Sequence, residues 1–171
     1  ASHGSVVVAI EHKDGSAIYT ETDDGDVRPY VGSVGGESGR ESQQRQRAAE
    51  VCAVMEQIGD LAVAVTTKVT AVHSFAALSP PLVIDPNTVT LMGHSFGGST
   101  ALRAAADLDA ARGPRASAVV AIDPWIAGIQ LETASTIGVA AAPTLALCTQ
   151  AMLYPSNDAA IGRVLKTVCE R

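Results

Sequence analysis

The sequence predicts an α/β fold: a mostly parallel sheet with flanking helices, in a single domain over residues 1–171. Short apolar runs of strand length alternate with longer segments whose apolar residues recur at helical spacing, as in βαβ units. One apolar run leads through a glycine-rich turn directly into an alanine-rich segment. With 171 residues, 47% of them hydrophobic, the chain can bury one core.

The first predicted element is a buried strand at residues 5–10. They read Ser-Val-Val-Val-Ala-Ile, a β-branched run typical of a parallel strand covered on both faces. Because the chain opens directly on such a strand, we expect it to be part of a longer fold. Residues 17–39 are rich in Asp, Gly, Thr and Ser without any period, which predicts a long loop.

The clearest predicted helix covers residues 40–58. Its apolar residues recur at helical spacing and its opposite face is polar; the apolar set is Ala48, Val51, Cys52, Met55 and Ile58. Gly59 is the predicted end of the helix. The weak pattern of residues 61–80 predicts no particular element.

The second half of the chain follows a turn at residues 84–87 and alternates strands with helices. We predict parallel strands at residues 88–92, 116–122 and 144–148. A helix is predicted from Phe96 to about Ala111 with Gly113 as its C-cap, and a last helix after residues 154–157.

Residues 93–98 read Gly-His-Ser-Phe-Gly-Gly and match the G-x-S-x-G nucleophile elbow, which requires a strand before it and a helix after it. The sharp reversal strains the backbone of Ser95, and the flanking glycines make room for it. We expect the Ser95 hydroxyl to stand above the sheet edge, at a helix N-terminus that favours an oxyanion. The alternative is a structural turn in which Ser95 is an N-cap.

A serine nucleophile needs an imidazole to take its proton and a carboxylate to orient that imidazole. Asp123 follows the strand after the elbow, so the two candidate residues are expected at the same edge of the sheet. The alternative for Asp123 is a turn residue before Pro124. Three other aspartates are poorer candidates, because one starts a strand and two lie on a helix expected to face solvent: Asp85, Asp107 and Asp109.

No histidine follows the acid, although the usual chain order of this fold places one there. The four histidines all precede or adjoin Ser95, and we interpret them as structural or surface residues: His3, His12, His73 and His94. We expect the His94 side chain to point away from the position of the base.

Composition excludes several classes of function. The net charge of −6 and the pI near 5.1 argue against a nucleic-acid partner. No run approaches the ~20 apolar residues of a membrane span, so we expect no transmembrane segment. Three cysteines without metal-type spacing suggest buried free thiols and no metal site. None of this indicates a cellular compartment.

The whole chain resembles the middle part of the platelet-activating factor acetylhydrolases of the plasma and type II intracellular kind. Many esterases share the elbow alone, so the specific part is the order of residues 11–17, Glu-His-Lys-Asp-Gly-Ser-Ala, and Asp123-Pro124-Trp125. Supporting blocks lie at residues 1–4, 44–48 and 154–157.

This resemblance implies a partial α/β-hydrolase fold and calcium-independent hydrolysis of short or oxidised sn-2 acyl chains of phospholipids, at a lipid surface. It implies neither a cofactor nor a metal. Ser95 corresponds to the nucleophile and Asp123 to the triad acid. The backbone N–H of Phe96 corresponds to an oxyanion-hole donor, and Trp125 to a residue of the substrate cleft.

The same resemblance places the second oxyanion donor upstream of Ala1 and the catalytic histidine downstream of Arg171. We therefore expect N-terminal strands and a histidine segment to be missing, and the 171 residues alone to have little activity. Ile126 stands where the family tends to carry methionine, and the helix end at residues 107–115 is longer than is usual in the family. The alternatives are a general carboxylesterase or polyester-hydrolase-like enzyme, and a non-catalytic lipid-binding relative.

Overall fold

The computed structural model describes residues 4–22, 24–31, 37–73, 84–126 and 142–169. The strands and helices follow one another in the order β1 (Tyr19–Glu21), β2 (Val27–Pro29), α1 (Glu37–Glu56), α2 (Ile58–His73), β3 (Thr90–His94), α3 (Phe96–Ala111), β4 (Ala118–Ile122), β5 (Thr144–Leu147), a short 3₁₀ helix (Gln150–Met152) and α4 (Pro155–Cys169).

The main sheet has the strand order β3-β4-β5, and both of its pairings are parallel. Thr90 pairs with Ala118 and His94 with Ile122, so β3 and β4 end side by side. Helix α3 connects these two strands and packs against both of them. The predicted α/β class is confirmed, and the architecture is that of part of an α/β-hydrolase fold.

Helix α3 lies at the centre of the molecule, between two apolar clusters. One cluster joins it to β4 and α4 through Leu102, Val119 and Val164. The other joins it to α1 through Ala48, Met55 and Leu108. Alanines on both sides of α3 let the neighbouring elements approach closely. The expectation that Asp107 and Asp109 face open solvent is wrong, because they are part-buried and pair with arginines of the chain.

The alternation along the strands divides the sheet into a covered and an open face. Val119 and Ala121 of β4 are fully buried under the helices. On the opposite face Met92, Leu145 and Leu147 are 65%, 53% and 50% exposed. None of the helices within the described ranges is long and apolar enough to span a membrane.

Two predictions for the N-terminal part are wrong. Residues 5–10 form no strand, and Val7 is 77% exposed; only Ile10 packs against the cluster between α1 and α3. A β-branched run becomes a strand only when another strand satisfies its backbone hydrogen bonds, and within the described residues none pairs with this run. Residues 17–39 are not all loop, because β1 and β2 pair there as an antiparallel hairpin.

Two predicted helix ends are also wrong. The chain turns at Gln57 and continues as α2, so Gly59 lies in the first turn of a new helix. Helix α3 does end at Ala111, but Arg112 rather than Gly113 adopts the left-handed C-cap conformation, with φ 54°. The N–H groups of both residues donate to carbonyls of the last helical turn, which stabilises this end.

Candidate active site

One residue, Ser95, makes the whole reversal from β3 to α3. Strand β3 ends at His94 and helix α3 begins at Phe96. The φ and ψ angles of Ser95 are 54° and −119°, a conformation that costs a non-glycine residue about 1–3 kcal/mol. Its side chain makes no capping hydrogen bond to the helix, so the geometry argues against a structural N-cap.

Two glycines make the strained turn possible by close approach of the backbone. A β-carbon on Gly93 would lie 2.1 Å from the carbonyl oxygen of Gly97. A β-carbon on Gly98 would lie 3.2 Å from the Cα of Pro124. A β-carbon on Gly97 would meet nothing within 4 Å. The steric requirement for glycine therefore falls on positions 93 and 98.

Backbone hydrogen bonds fasten the elbow to the segment after β4. The N–H of Ser95 donates to the carbonyl of Ile122 at 2.9 Å. The Ser95 carbonyl accepts from the N–H groups of Gly98 at 3.0 Å and Trp125 at 3.1 Å. Because these bonds use only the backbone of Ser95, the sheet edge holds the residue without engaging its hydroxyl.

Asp123 lies immediately beyond β4, at the same sheet edge as Ser95. It is buried and also has a positive φ, 46°. Its carboxylate accepts two hydrogen bonds from Thr149, from the backbone N–H at 2.5 Å and from Oγ1 at 3.1 Å. Thr149 follows β5, and sequence reasoning missed it because nothing local links it to Asp123.

Asn157 of α4 holds the segment that carries Asp123. Its Oδ1 accepts from the N–H of Ile126 at 2.8 Å, and its Nδ2 donates to the carbonyls of Pro124 at 3.1 Å and Met152 at 2.9 Å. The side chain is fully buried. Sequence reasoning singled out residues 154–157 only as the segment before the last helix and as part of the resemblance; the structure shows that Asn157 also holds the segment after β4 by hydrogen bonds.

Phe96 and Trp125 form an aromatic pair beside Ser95. Their ring centroids are 5.9 Å apart and their planes meet at 61°, an edge-on contact. Phe96 is the first residue of α3, where backbone N–H groups have no acceptor within the helix. Two guanidinium groups of α1 lie over the Phe96 ring, Arg47 at 4.9 Å and Arg40 at 5.7 Å from its centroid.

The block at residues 11–17 reaches this aromatic pair through Arg47. The Nε of Arg47 donates to the buried Asp14 carboxylate at 2.6 Å, and its Nη2 contacts the Ser16 hydroxyl. Burial raises the pKa of Asp14, but hydrogen bonds from Arg47 and Ser16 outweigh that effect and hold it below its ordinary value of 3.8. The block is thus tied to the elbow through one arginine.

No described histidine side chain hydrogen-bonds to Ser95. The Nδ1 of His12 lies 2.7 Å from the carboxylate of Glu50, a residue of α1. His94 is 69% exposed, and its Nε2 lies 4.0 Å from Oδ2 of Asp123, beyond hydrogen-bond distance. His3 and the side chain of His73 lie outside the described residues. Within the described part of the chain there is also no cluster of three potential metal ligands.

Comparison with known proteins gives a consistent result. The family model described as "Platelet-activating factor acetylhydrolase, isoform II" matches residues 1–170. A protein of Bos taurus named platelet-activating factor acetylhydrolase is 29% identical over 171 residues, covering 92% of this chain and 36% of that protein. One of the same name from Canis lupus familiaris is 29% identical over 146 residues, covering 74% and 30%. The chain spans about a third of the length of these relatives.

Proposed function

The chain belongs to the platelet-activating factor acetylhydrolase, isoform II, family, and we propose that it is a serine ester hydrolase acting on phospholipids. In this proposal it removes short or oxidised sn-2 acyl groups through an acyl-enzyme at Ser95. The observation that carries the proposal is the strained Ser95, whose hydroxyl does not cap the helix that follows it. Backbone strain of this kind is typical of functional sites, and in the nucleophile elbow it presents the serine hydroxyl to the substrate.

Each candidate residue has one role in this mechanism. The Ser95 Oγ attacks the ester carbonyl, and the N–H of Phe96 donates to the oxyanion that forms. Asp123, whose carboxylate accepts hydrogen bonds from Thr149, orients and stabilises the imidazolium of the base. Trp125 lines the cleft beside the acyl group. A histidine takes the Ser95 proton and returns it to the leaving alcohol, and the family resemblance puts it beyond Arg171.

The substrate class rests on the relatives. Two curated relatives bear the name platelet-activating factor acetylhydrolase, which describes removal of an acetyl group from a lipid. A short acyl chain needs only a small pocket, and the aromatic pair of Phe96 and Trp125 offers apolar surface beside the nucleophile. We therefore favour an acetyl or similarly short ester over a long-chain one.

A second candidate is a non-catalytic relative that binds lipid in the same cleft. It is favoured by one observation: within the described residues, no imidazole bonds to Ser95. It does not account for the strained serine. The two candidates differ in whether Ser95 forms a covalent intermediate.

The test is hydrolysis of 1-alkyl-2-acetyl-glycerophosphocholine by the protein that includes the expected histidine segment, with p-nitrophenyl acetate and a long-chain triglyceride as comparison substrates. We expect Ser95→Ala to lower kcat by at least roughly 10³-fold. The matched control is Ser117→Ala, because Ser117 is exposed and remote from the elbow. Retained hydrolysis in Ser95→Ala would contradict the mechanism. Equal rates on the triglyceride and the acetyl phospholipid would favour the general esterase. The non-catalytic relative would be favoured if the protein bound lipid but neither hydrolysed it nor reacted with a fluorophosphonate.

A further inference from the structure

The two arginines over the Phe96 ring differ in how their charges are balanced. Arg47 forms an ion pair with the buried Asp14 carboxylate at 2.6 Å. Arg40 donates to the neutral amide oxygen of Gln43 at 3.0 Å, and no carboxylate among the described side chains, which exclude that of Glu37, pairs with it. Among the described side chains, one of the two positive charges beside the elbow therefore has no counter-ion.

Arg40 differs in this respect from the other arginines of α1 and α3. Arg45, one turn further along α1, pairs with Glu41 at 2.7 Å, and Arg103 of α3 pairs with Asp107 at 3.2 Å. The chain as a whole carries a net charge of −6, so carboxylates are not scarce. A part-exposed guanidinium at Arg40, which no described carboxylate neutralises, is thus a local feature of the surface next to Ser95.

We propose that Arg40 binds the phosphate of a glycerophospholipid whose sn-2 ester lies at Ser95, and so determines specificity for phosphate-bearing esters. This inference rests on the proposed function. In a glycerophospholipid the sn-2 ester and the phosphate are on adjacent glycerol carbons. The phosphate must therefore bind within about one side chain of the nucleophile, and Arg40 lies over the ring of the next residue, Phe96.

The chemistry of the group suits this role. A guanidinium offers five N–H donors in a planar fork that matches two phosphate oxygens at once. The face of the Phe96 ring attracts the cation without using any of those donors. Arg47 is less suited to this role, because the Asp14 carboxylate already balances its charge and Asp14 and Ser16 occupy two of its five donors. Arg40 is thus held near the elbow while its donors remain largely available.

The first experiment compares two substrates in three variants of the protein that includes the expected histidine segment. We expect Arg40→Gln to lower kcat/KM for 1-alkyl-2-acetyl-glycerophosphocholine by roughly 10- to 100-fold, the range of a lost charge-assisted hydrogen bond. Hydrolysis of p-nitrophenyl acetate, which has no phosphate, should change less than about twofold. Arg40→Lys keeps the charge and should recover part of the loss. The matched control, Arg45→Gln, changes a 62% exposed arginine of the same helix and should leave both rates unchanged.

Equal losses on both substrates, or no loss on either, would overturn the role of Arg40. Those outcomes differ from a failure of the proposed function, in which Ser95→Ala would leave hydrolysis intact. The two proposals can therefore fail separately.

The second experiment needs no turnover. Trp125 is the only tryptophan of the chain and contacts Phe96, so its fluorescence reports on this surface. Titration with glycerophosphocholine, which has no acyl group to hydrolyse, should give a saturable change whose midpoint rises at least tenfold in Arg40→Gln and stays the same in Arg45→Gln.

Titrations with inorganic phosphate and with choline chloride show which part of glycerophosphocholine causes the change in Trp125 fluorescence. We expect glycerophosphocholine to bind more tightly than inorganic phosphate, and choline to give no Arg40-dependent change. Equal affinity for inorganic phosphate would overturn the assignment to a lipid headgroup. An absent or Arg40-independent response to glycerophosphocholine would overturn the site.

Discussion

Gly93 and Gly97 approach so closely that a β-carbon on Gly93 would lie 2.1 Å from the carbonyl oxygen of Gly97. The contact joins the end of β3 to the start of α3 across the single residue that reverses the chain. It explains why the elbow requires a glycine before Ser95, since any larger residue would push strand and helix apart.

The two glycines give a matched pair of substitutions. Gly93→Ala should unfold the elbow or lower the free energy of unfolding by more than about 3 kcal/mol, because backbone atoms cannot yield as side chains do. Gly97→Ala should be neutral or stabilise by up to ~1 kcal/mol, since its β-carbon meets open space in a helix. Urea denaturation measures both, and similar stabilities of the two variants would contradict the geometry.

Asn157 should be a positioning residue for the Asp123 segment. Asn157→Ala removes three hydrogen bonds at a fully buried site, and we expect a loss of roughly 2–4 kcal/mol in unfolding free energy. Asn157→Asp keeps the shape of the side chain but replaces its N–H donor with an oxygen, and should also lower the free energy of unfolding. The exposed neighbour provides the control, Ser156→Ala, which should change stability by less than about 0.5 kcal/mol. A stable Asn157→Ala protein would show that other contacts hold the segment.

Thr149 should tune the proposed acid without being essential. Thr149→Val removes the hydroxyl bond to Asp123 and leaves the backbone N–H bond. We expect kcat to fall only roughly three- to tenfold, because the backbone N–H bond to the same carboxylate remains. Thr149→Ser retains the hydroxyl and should keep nearly full activity. Steady-state rates with p-nitrophenyl acetate test this, and equal rates for the two variants would argue that the hydroxyl has no role.

The ion pair between Asp14 and Arg47 should make stability depend on acid pH. Because the pKa of Asp14 is lowered in the folded chain, its contribution is present above the ordinary value of 3.8 and is lost as the pH falls through the folded-state pKa. Asp14→Asn should cost about 3 kcal/mol at pH 7, since it leaves Arg47 unpaired and largely buried.

The difference between wild type and Asp14→Asn should narrow as the pH falls below about 4. Asp26→Asn, at an exposed position, is the control and should show no such narrowing. Unfolding free energies measured from pH 7 to pH 2 test the prediction. A constant difference across this range would mean that Asp14 does not act through its charge.

Cys52 should be an unreactive thiol. Burial, with smaller effects from the charges of Asp107 and Glu56, raises the pKa of Cys52 to about 11. At pH 8 the thiolate fraction, and with it the rate of alkylation by iodoacetamide, should be about 100-fold below that of an ordinary cysteine. Mass spectrometry of the labelled sites measures this rate, with the urea-unfolded chain as the reference. Rapid labelling of Cys52 in the folded protein would contradict its part-buried placement.

Local patterns predicted the second half of the chain well. Strands β3, β4 and β5 and helix α3 all lie within about two residues of their predicted bounds, because each is determined by its own periodicity and by the turn that ends it. The strained Ser95 was also predictable, since a strand, a reversal and a helix in so few residues require it. The predictions failed where an element depends on pairing between strands. Residues 5–10 form no strand, whereas β1 and β2 pair with each other inside a predicted loop.

The sequence by itself thus determined the α/β class, the elbow at Ser95 and the placement of Asp123 at the same edge of the sheet. These features follow from neighbours in the chain and from the common direction of parallel strands. Only the tertiary structure decided that Thr149 binds the Asp123 carboxylate, that Asn157 holds the segment after it, and that Arg40 and Arg47 share the Phe96 ring. Those contacts join residues far apart in the chain, and a hydrogen bond or a cation over a ring forms only once packing has brought both partners within a few ångströms.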